Sequence, residues 1–253
     1  MSAKQKIISR LSEQLDLAAD LRAKIVDGAK FEVRRRCLRA WQAQRLARTH
    51  VDLLSSPRFG ATASFFLTDI YGPEDLSRHE AKIKRIMPVM TKLLPASGLE
   101  TVADAMELST LSERLDVVMV KTLGKKADAL DEAAYGEAYR IIGRRSERER
   151  QIELIDHLGR SLDDLIHRPF VGKALSLMHR PAQLAGLGDL QDFLERGYAA
   201  FRTLDGADDF LEIVVTRESH LMEALFAGND NLLKRSGLED ASKQPSGSRS
   251  RHV

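Results

Sequence analysis

Seven histidines and a set of closely spaced carboxylates are the side chains with which this sequence could do chemistry, and their spacing decides what that chemistry can be. A carboxylate-bridged di-iron centre in a helical bundle needs Glu-x-x-His pairs on two helices and a further Glu from each of two others. Six of the histidines have Ala47, Leu76, Leu154, Ser176, Arg217 or Arg249 three residues earlier; Asp164 with His167 alone fits, with Asp where the motif has Glu. His79-Glu80 opens like a zinc-protease helix, but Ile83 stands where the second histidine belongs. Asp163-Asp-Leu-Ile-His167 and Asp208-Asp-Phe-Leu-Glu212 carry paired carboxylates one turn apart, a spacing that suits magnesium diphosphate. Asp208 and Asp209 follow Gly206, however, where acids favour a helix start, and 6% aromatics leave little to line a carbocation pocket. No metal site and no cofactor is expected.

The sequence has no Gly-x-Ser-x-Gly elbow, phosphate-binding glycine loop or dinucleotide fingerprint. Cys37, the single cysteine, excludes an intramolecular disulfide and falls on an apolar helical stripe, which reads as a packed thiol rather than a nucleophile. The short repeat Leu165-Ile-His-Arg-Pro169 and Leu177-Met-His-Arg-Pro181 reads as two helix ends, cations meeting the negative end of the dipole before a proline.

Residues 30–50 are the largest compositional anomaly, with seven Lys or Arg against Glu32. Such a density can contact phosphates, and Trp41 could stack on a base. At 100° per residue, however, the arginines scatter around the helix, so pairing with acidic neighbours such as those of the first helix is expected, and nucleic-acid binding is not.

The most distinctive stretch is Ser64-Phe-Phe-Leu-Thr-Asp-Ile-Tyr-Gly-Pro73. Adjacent phenylalanines cover two neighbouring faces, which predicts a short helix buried on a wide arc. A buried polar pocket is sought where this block folds back on the long helix after it, with Asp69, Tyr71, His79, Arg85 and Glu107 as candidate residues. The competing expectation is a hydrogen-bonded corner in which Asp69 pairs with Arg85 and Tyr71 is an anchor. Together with ARTHVDLLSSPRFGATA before it and ADAMELSTLSERLD after it, the block resembles a group of uncharacterised bacterial all-helical proteins. The resemblance spans about residues 45–120 and implies no activity.

The elements that must position these residues are helices. Ile8, Leu11, Leu15, Ala18 and Ile25 recur at helical spacing, and so do Val33, Cys37, Ala40, Ala47, Val51 and Leu54. Asp27 and Gly28 between them predict a long opening hairpin with the two stripes facing each other. Ser77 with Glu80, Ser97 with Glu100, and Ser146 with Glu149 read as capping boxes, and Ser56-Pro57 as a cap with proline at the first helical position. Pro88 is expected to kink or split the helix that starts near Ser77. Leu99 to Met119 give a long helix ending at Gly124, and further helices are predicted at about 132–143, 147–167, 170–179, 189–204 and 207–227. The run Glu212-Ile-Val-Val-Thr216 looks like a strand but sits inside a helical pattern.

The fold class is therefore all-α, a multi-helix bundle of one domain over 1–228 followed by a mobile tail over 229–253. An apolar fraction of 43%, a charged fraction of 30% and a net charge of +2 describe a folded protein with no global pull toward nucleic acid. No apolar run suits a signal peptide or a bilayer span, so cytoplasmic residence without membrane attachment is expected. The leading function is a non-catalytic scaffold or regulatory module that binds a protein partner or copies of itself. The alternative is an enzyme or carrier with an interhelical pocket for a small ligand, metal or haem.

Overall fold

A computed structural model describes residues 2–23, 28–70, 77–169 and 171–234. Within them the chain forms eleven α-helices and no strand: α1 Ala3–Ala23, α2 Gly28–Thr49, α3 Val51–Leu54, α4 Gly60–Phe65, α5 Ser77–Leu93, α6 Ala96–Leu123, α7 Glu132–Ile142, α8 Arg145–Ile166, α9 Val171–Leu184, α10 Gly188–Arg202 and α11 Asp208–Phe226. The strand-like run 212–216 is helical, inside α11. No helix is long and apolar enough to cross a membrane.

The longest helix, α6, is the axis of the molecule, because apolar or small residues occur on much of its circumference. Leu99, Ala103, Leu115 and Met119 are all fully buried. The helices α1, α2, α5, α7 and α8 all pack on it, and α11 closes over α8 and α7. The opening pair departs from the expected hairpin packing. Leu11 and Leu15 of α1 join a cluster with Ile83, Ala103 and Met106, whereas Phe31 and Leu38 of α2 join one with Met119, Val120 and Leu123. Each helix spends its apolar face on a different length of α6, so the two stripes enter different clusters.

The buried face of α2 is not the one its apolar residues suggest. Val33 is 47% exposed, while Phe31, Leu38, Arg39, Arg45 and Leu46 are buried. Two arginines can occupy that face because acids on other helices meet them.

Helix starts are less regular than the serine boxes imply. The helix α6 begins at Ala96 after Pro95, and α8 at Arg145 after Arg144, neither with a side-chain cap. Glu80 is buried and accepts from Ser109 Oγ at 3.3 Å, and the Ser77 side chain of the first box lies outside the described residues. Ser56 Oγ accepts from Phe59 N at 3.2 Å in a turn that precedes Gly60, so the helix begins three residues later than Pro57. An unforeseen cap is Asp131, which accepts from Ala134 N at 2.8 Å. Neither Pro88 nor Pro181 ends its helix; α5 and α9 run through them.

Residues 229–234 fall in the stretch that the sequence assigns to a tail. Here Asp230–Lys234 is a 3₁₀ turn whose Leu233 is fully buried against α7 and α11. Asp230 pairs with Arg140 at 2.6 Å, and a Cβ on Gly136 would lie 2.0 Å from its carboxylate oxygen. A side chain at 136 would have to displace this carboxylate from its place beside Arg140. Residues 235–253 lie outside the described residues.

Candidate functional site

The described sequence candidates each have their own partners. Asp69 accepts from Arg196 Nε at 3.0 Å and from Thr68 Oγ1 at 2.8 Å, so its arginine comes from α10 and not from position 85. Arg85 donates instead to Ala185 O at 2.8 Å. His79 is buried with its ring 5.2 Å from that of Phe193. Glu107 accepts from Arg150 Nε at 2.8 Å and lies beside Asp104, which Arg10 and His157 engage. Tyr71 lies outside the described residues. These four described residues are separate packing and pairing positions.

The site lies deeper, between α2, α6, α8 and α11. A partly open chamber of about 150 Å³ lies there. Its lining changes character along α8 and α11 and, apart from His50 and Ser109, along α2 and α6. On α2 and the start of α3, Arg39, Gln42 and Arg45 give way to Leu46 and Leu53; on α8, Arg148 and Gln151 give way to Ile152 and Ile155. On α6, Asp116 and Ser112 precede Leu108 in the same direction, and on α11 Glu218 precedes Val214 and Phe210. One end is therefore polar and charged, the other apolar.

The block Ser64–Ile70 reaches the site through its phenylalanines. Phe65 and Phe66 are both buried, as the adjacent rings predicted, and Phe66 packs on Phe201 and Phe210 at centroid distances of 5.9 and 5.8 Å. Residues Phe66–Ile70 form a π-helical turn, the wider winding that turns Phe66 and Leu67 into the chamber wall.

Charge is closely arranged at the polar end. Arg39 Nε donates to Asp116 Oδ2 at 3.0 Å, and Gln42 Nε2 to Asp116 Oδ1 at 3.3 Å. Arg45 Nη1 donates to both oxygens of Glu218 at 2.6 and 2.7 Å, and His50 Nε2 lies 3.0 Å from Glu218 Oε1. Burial pushes the Glu218 carboxyl up, but Arg45 and His50 together outweigh it and hold the group down at about 2. Arg148 differs from the other two arginines. It is buried, stacks 4.7 Å over the Tyr139 ring and donates from Nη1 to Gln151 Oε1 at 3.3 Å, and among the described residues no carboxylate forms an ion pair with it. Its Nη2 and the Nδ1 of His50 are buried without a hydrogen-bond partner.

The basic run of α2 thus serves the interior and its neighbours. Arg34 pairs with Asp128 at 3.0 Å, Arg35 with Glu113 at 3.4 Å, and Arg48 with Glu132 at 3.6 Å. The partners of Arg39 and Arg45 are on α6 and α11, not on α1 as the sequence suggests. Arg39, Arg45, His50, Arg148 and Glu218 were not singled out individually from sequence. The available signal was Arg39 and Arg45 lying six residues apart in a basic run with Leu38 and Leu46 beside them. Cys37 is half-buried and is not part of the chamber wall.

Among the described residues, His179, Asp192 and Glu195 bring one potential ligand atom each within 4.8 Å of one another. Glu195 already accepts from Gln191 at 2.8 Å and lies 3.0 Å from His179 Nδ1, so hydrogen bonds account for this group. On α9, Leu177, Met178 and Leu184 are 77%, 52% and 91% exposed, and with Ala174 and Pro181 they form an apolar stripe along the outside of the helix.

One family model matches the chain over residues 22–232, and it is described as a domain of unknown function (DUF8198). No curated protein and no solved structure matches.

Proposed function

The chain belongs to this family, whose domain takes in every wall of the interior chamber, and from that premise we propose that it is a non-catalytic binding protein that holds a small ligand between α2, α6, α8 and α11. The observation that carries this reading is the chamber itself, polar at one end and apolar at the other, the usual make-up of a ligand site. Binding is favoured over catalysis by the chemistry of the lining. A carboxyl held at about 2 is too weak a base to take a proton at neutral pH. The hydroxyls are also engaged, Ser109 donating to Glu80 at 3.3 Å and Ser112 accepting from Gln151 at 2.7 Å.

Thermal unfolding of the full chain against a panel of small acids, alcohols and amines tests this. At least one class is expected to raise the midpoint saturably. Val214→Phe puts a ring into the apolar end and is expected to abolish the rise while leaving the free protein folded. A flat panel, or a response that survives the filled chamber, would sink the reading.

A second reading, protein docking, rests on the α9 stripe. Five exposed apolar or small positions at helical spacing lie along one side of α9, and Lys173 and Arg180 run along one edge of the stripe. An amphipathic helix with acidic flanks is the complementary partner. In fluorescence anisotropy, amphipathic peptides with Glu flanks are expected to bind, and Leu177→Asp with Leu184→Asp to weaken them at least about tenfold. Equal binding of Lys-flanked peptides, or uptake of the protein by anionic vesicles in their place, would count against it.

A further inference from the structure

The chamber's own residues specify what kind of molecule it takes, given the ligand-binding reading above. Three arginines line it, Arg39, Arg45 and Arg148, against two carboxylates, Asp116 and Glu218. Arg39 and Asp116 meet at 3.0 Å, and Arg45 grips both oxygens of Glu218, so these four charges cancel in pairs. Arg148 is the one left over. It is 8% exposed, its face is held by Tyr139, its Nη1 by Gln151, and its Nη2 has no protein acceptor. A guanidinium with a buried unused N–H and no countercharge is a receptor for an anion, and its planar donors match a carboxylate in particular.

The other end of the chamber sets the rest of the molecule. Leu53, Phe66, Leu108, Ile155, Phe210 and Val214 line it, and they offer nothing to a hydrated, compact anion such as phosphate. A volume of about 150 Å³ is on the scale of a cavity that accepts a benzene-sized body. We propose that the ligand is a small organic carboxylate with a compact apolar body, its carboxylate received by Arg148 and its body by Phe66, Phe210 and Val214. Only a molecule with both parts satisfies both ends.

Calorimetric titration of the full chain with three probes tests the proposal. Benzoate carries both parts, toluene only the body, and inorganic phosphate only an anion. Benzoate is expected to bind saturably with Kd below about 1 mM, and the other two at least about tenfold more weakly. Arg148→Gln is expected to weaken benzoate at least about tenfold and to leave toluene unchanged. Circular dichroism establishes that this variant is folded. Should it not fold, Arg148→Lys retains the charge without the planar pair of donors and is expected to weaken benzoate several-fold; an unaltered affinity would overturn the proposal. Toluene binding as tightly as benzoate, with no response to Arg148→Gln, would overturn the carboxylate class and leave the ligand-binding reading standing. Phosphate binding more tightly than benzoate would overturn it too. Absence of binding by all three probes overturns this ligand class, whereas the broader reading fails only when the wider panel is also flat.

Discussion

Arg45→Met is expected to cost the protein about 3 to 5 kcal/mol of unfolding free energy in urea denaturation, more than truncation of a typical surface arginine by severalfold. The reason is what it leaves behind. Glu218 is largely buried, with 15% of its side chain exposed, and its partners are Arg45 and His50. Methionine fills the volume of the arginine stem but strands a carboxylate that the arginine grips through both oxygens at 2.6 and 2.7 Å. The double variant Arg45→Met/Glu218→Leu removes both charges and is expected to recover most of the loss, since a buried ion pair replaced by apolar groups is close to neutral. A single variant within about 1 kcal/mol of the parent would show that the carboxylate finds water or another cation at little cost.

That expectation marks the boundary between what the sequence discloses and what only the folded chain does. Helix existence and most ends were legible, because the signals are local. Gly124, Gly143, Gly206 and Gly228 all have positive φ, a conformation near helix ends that glycine alone adopts freely, and each falls at or next to a boundary of the helices that the sequence predicts. The adjacent Phe65 and Phe66 foretold burial on two faces for the same local reason. Faces were less legible. On α2 the apolar stripe through Val33 and Ala40 points outward, while the stripe that carries Arg39 and Arg45 points in. An arginine's burial depends on whether an acid meets it, and Asp116 and Glu218 are 77 and 173 residues away along the chain. No periodicity records that distance. The pocket was therefore sought around Asp69, His79, Arg85 and Glu107, whose neighbours are close in sequence or eye-catching in type. Each is engaged elsewhere, Asp69 by Arg196 and Glu107 by Arg150. Among the described residues of that block, Phe66 and Leu67 reach the chamber, at its apolar end.

Stability should fall steeply on acidification between about pH 4.5 and pH 2, and Glu218 is expected to account for about 3 kcal/mol of that fall. The direction follows from which form the folded state prefers. Its carboxyl is held near 2 when folded and returns to the ordinary value of 4.5 when the chain unfolds. The stabilisation is thus fully present above the unfolded value and is lost as protons bind the unfolded chain first, vanishing once the folded group is also protonated. Asp52, which Arg217 holds through two hydrogen bonds of 2.7 Å, is lowered by the same kind of contact and adds to the fall in the same direction. Glu218→Gln separates the two. Glutamine mimics the protonated acid in shape, so the variant is expected to be the less stable protein at pH 7 and to converge with the parent near pH 2. Urea denaturation across that range measures both curves. Parallel curves would mean that Glu218 titrates alike in folded and unfolded chains, and that the pairing with Arg45 and His50 contributes nothing to holding the polar end of the chamber together.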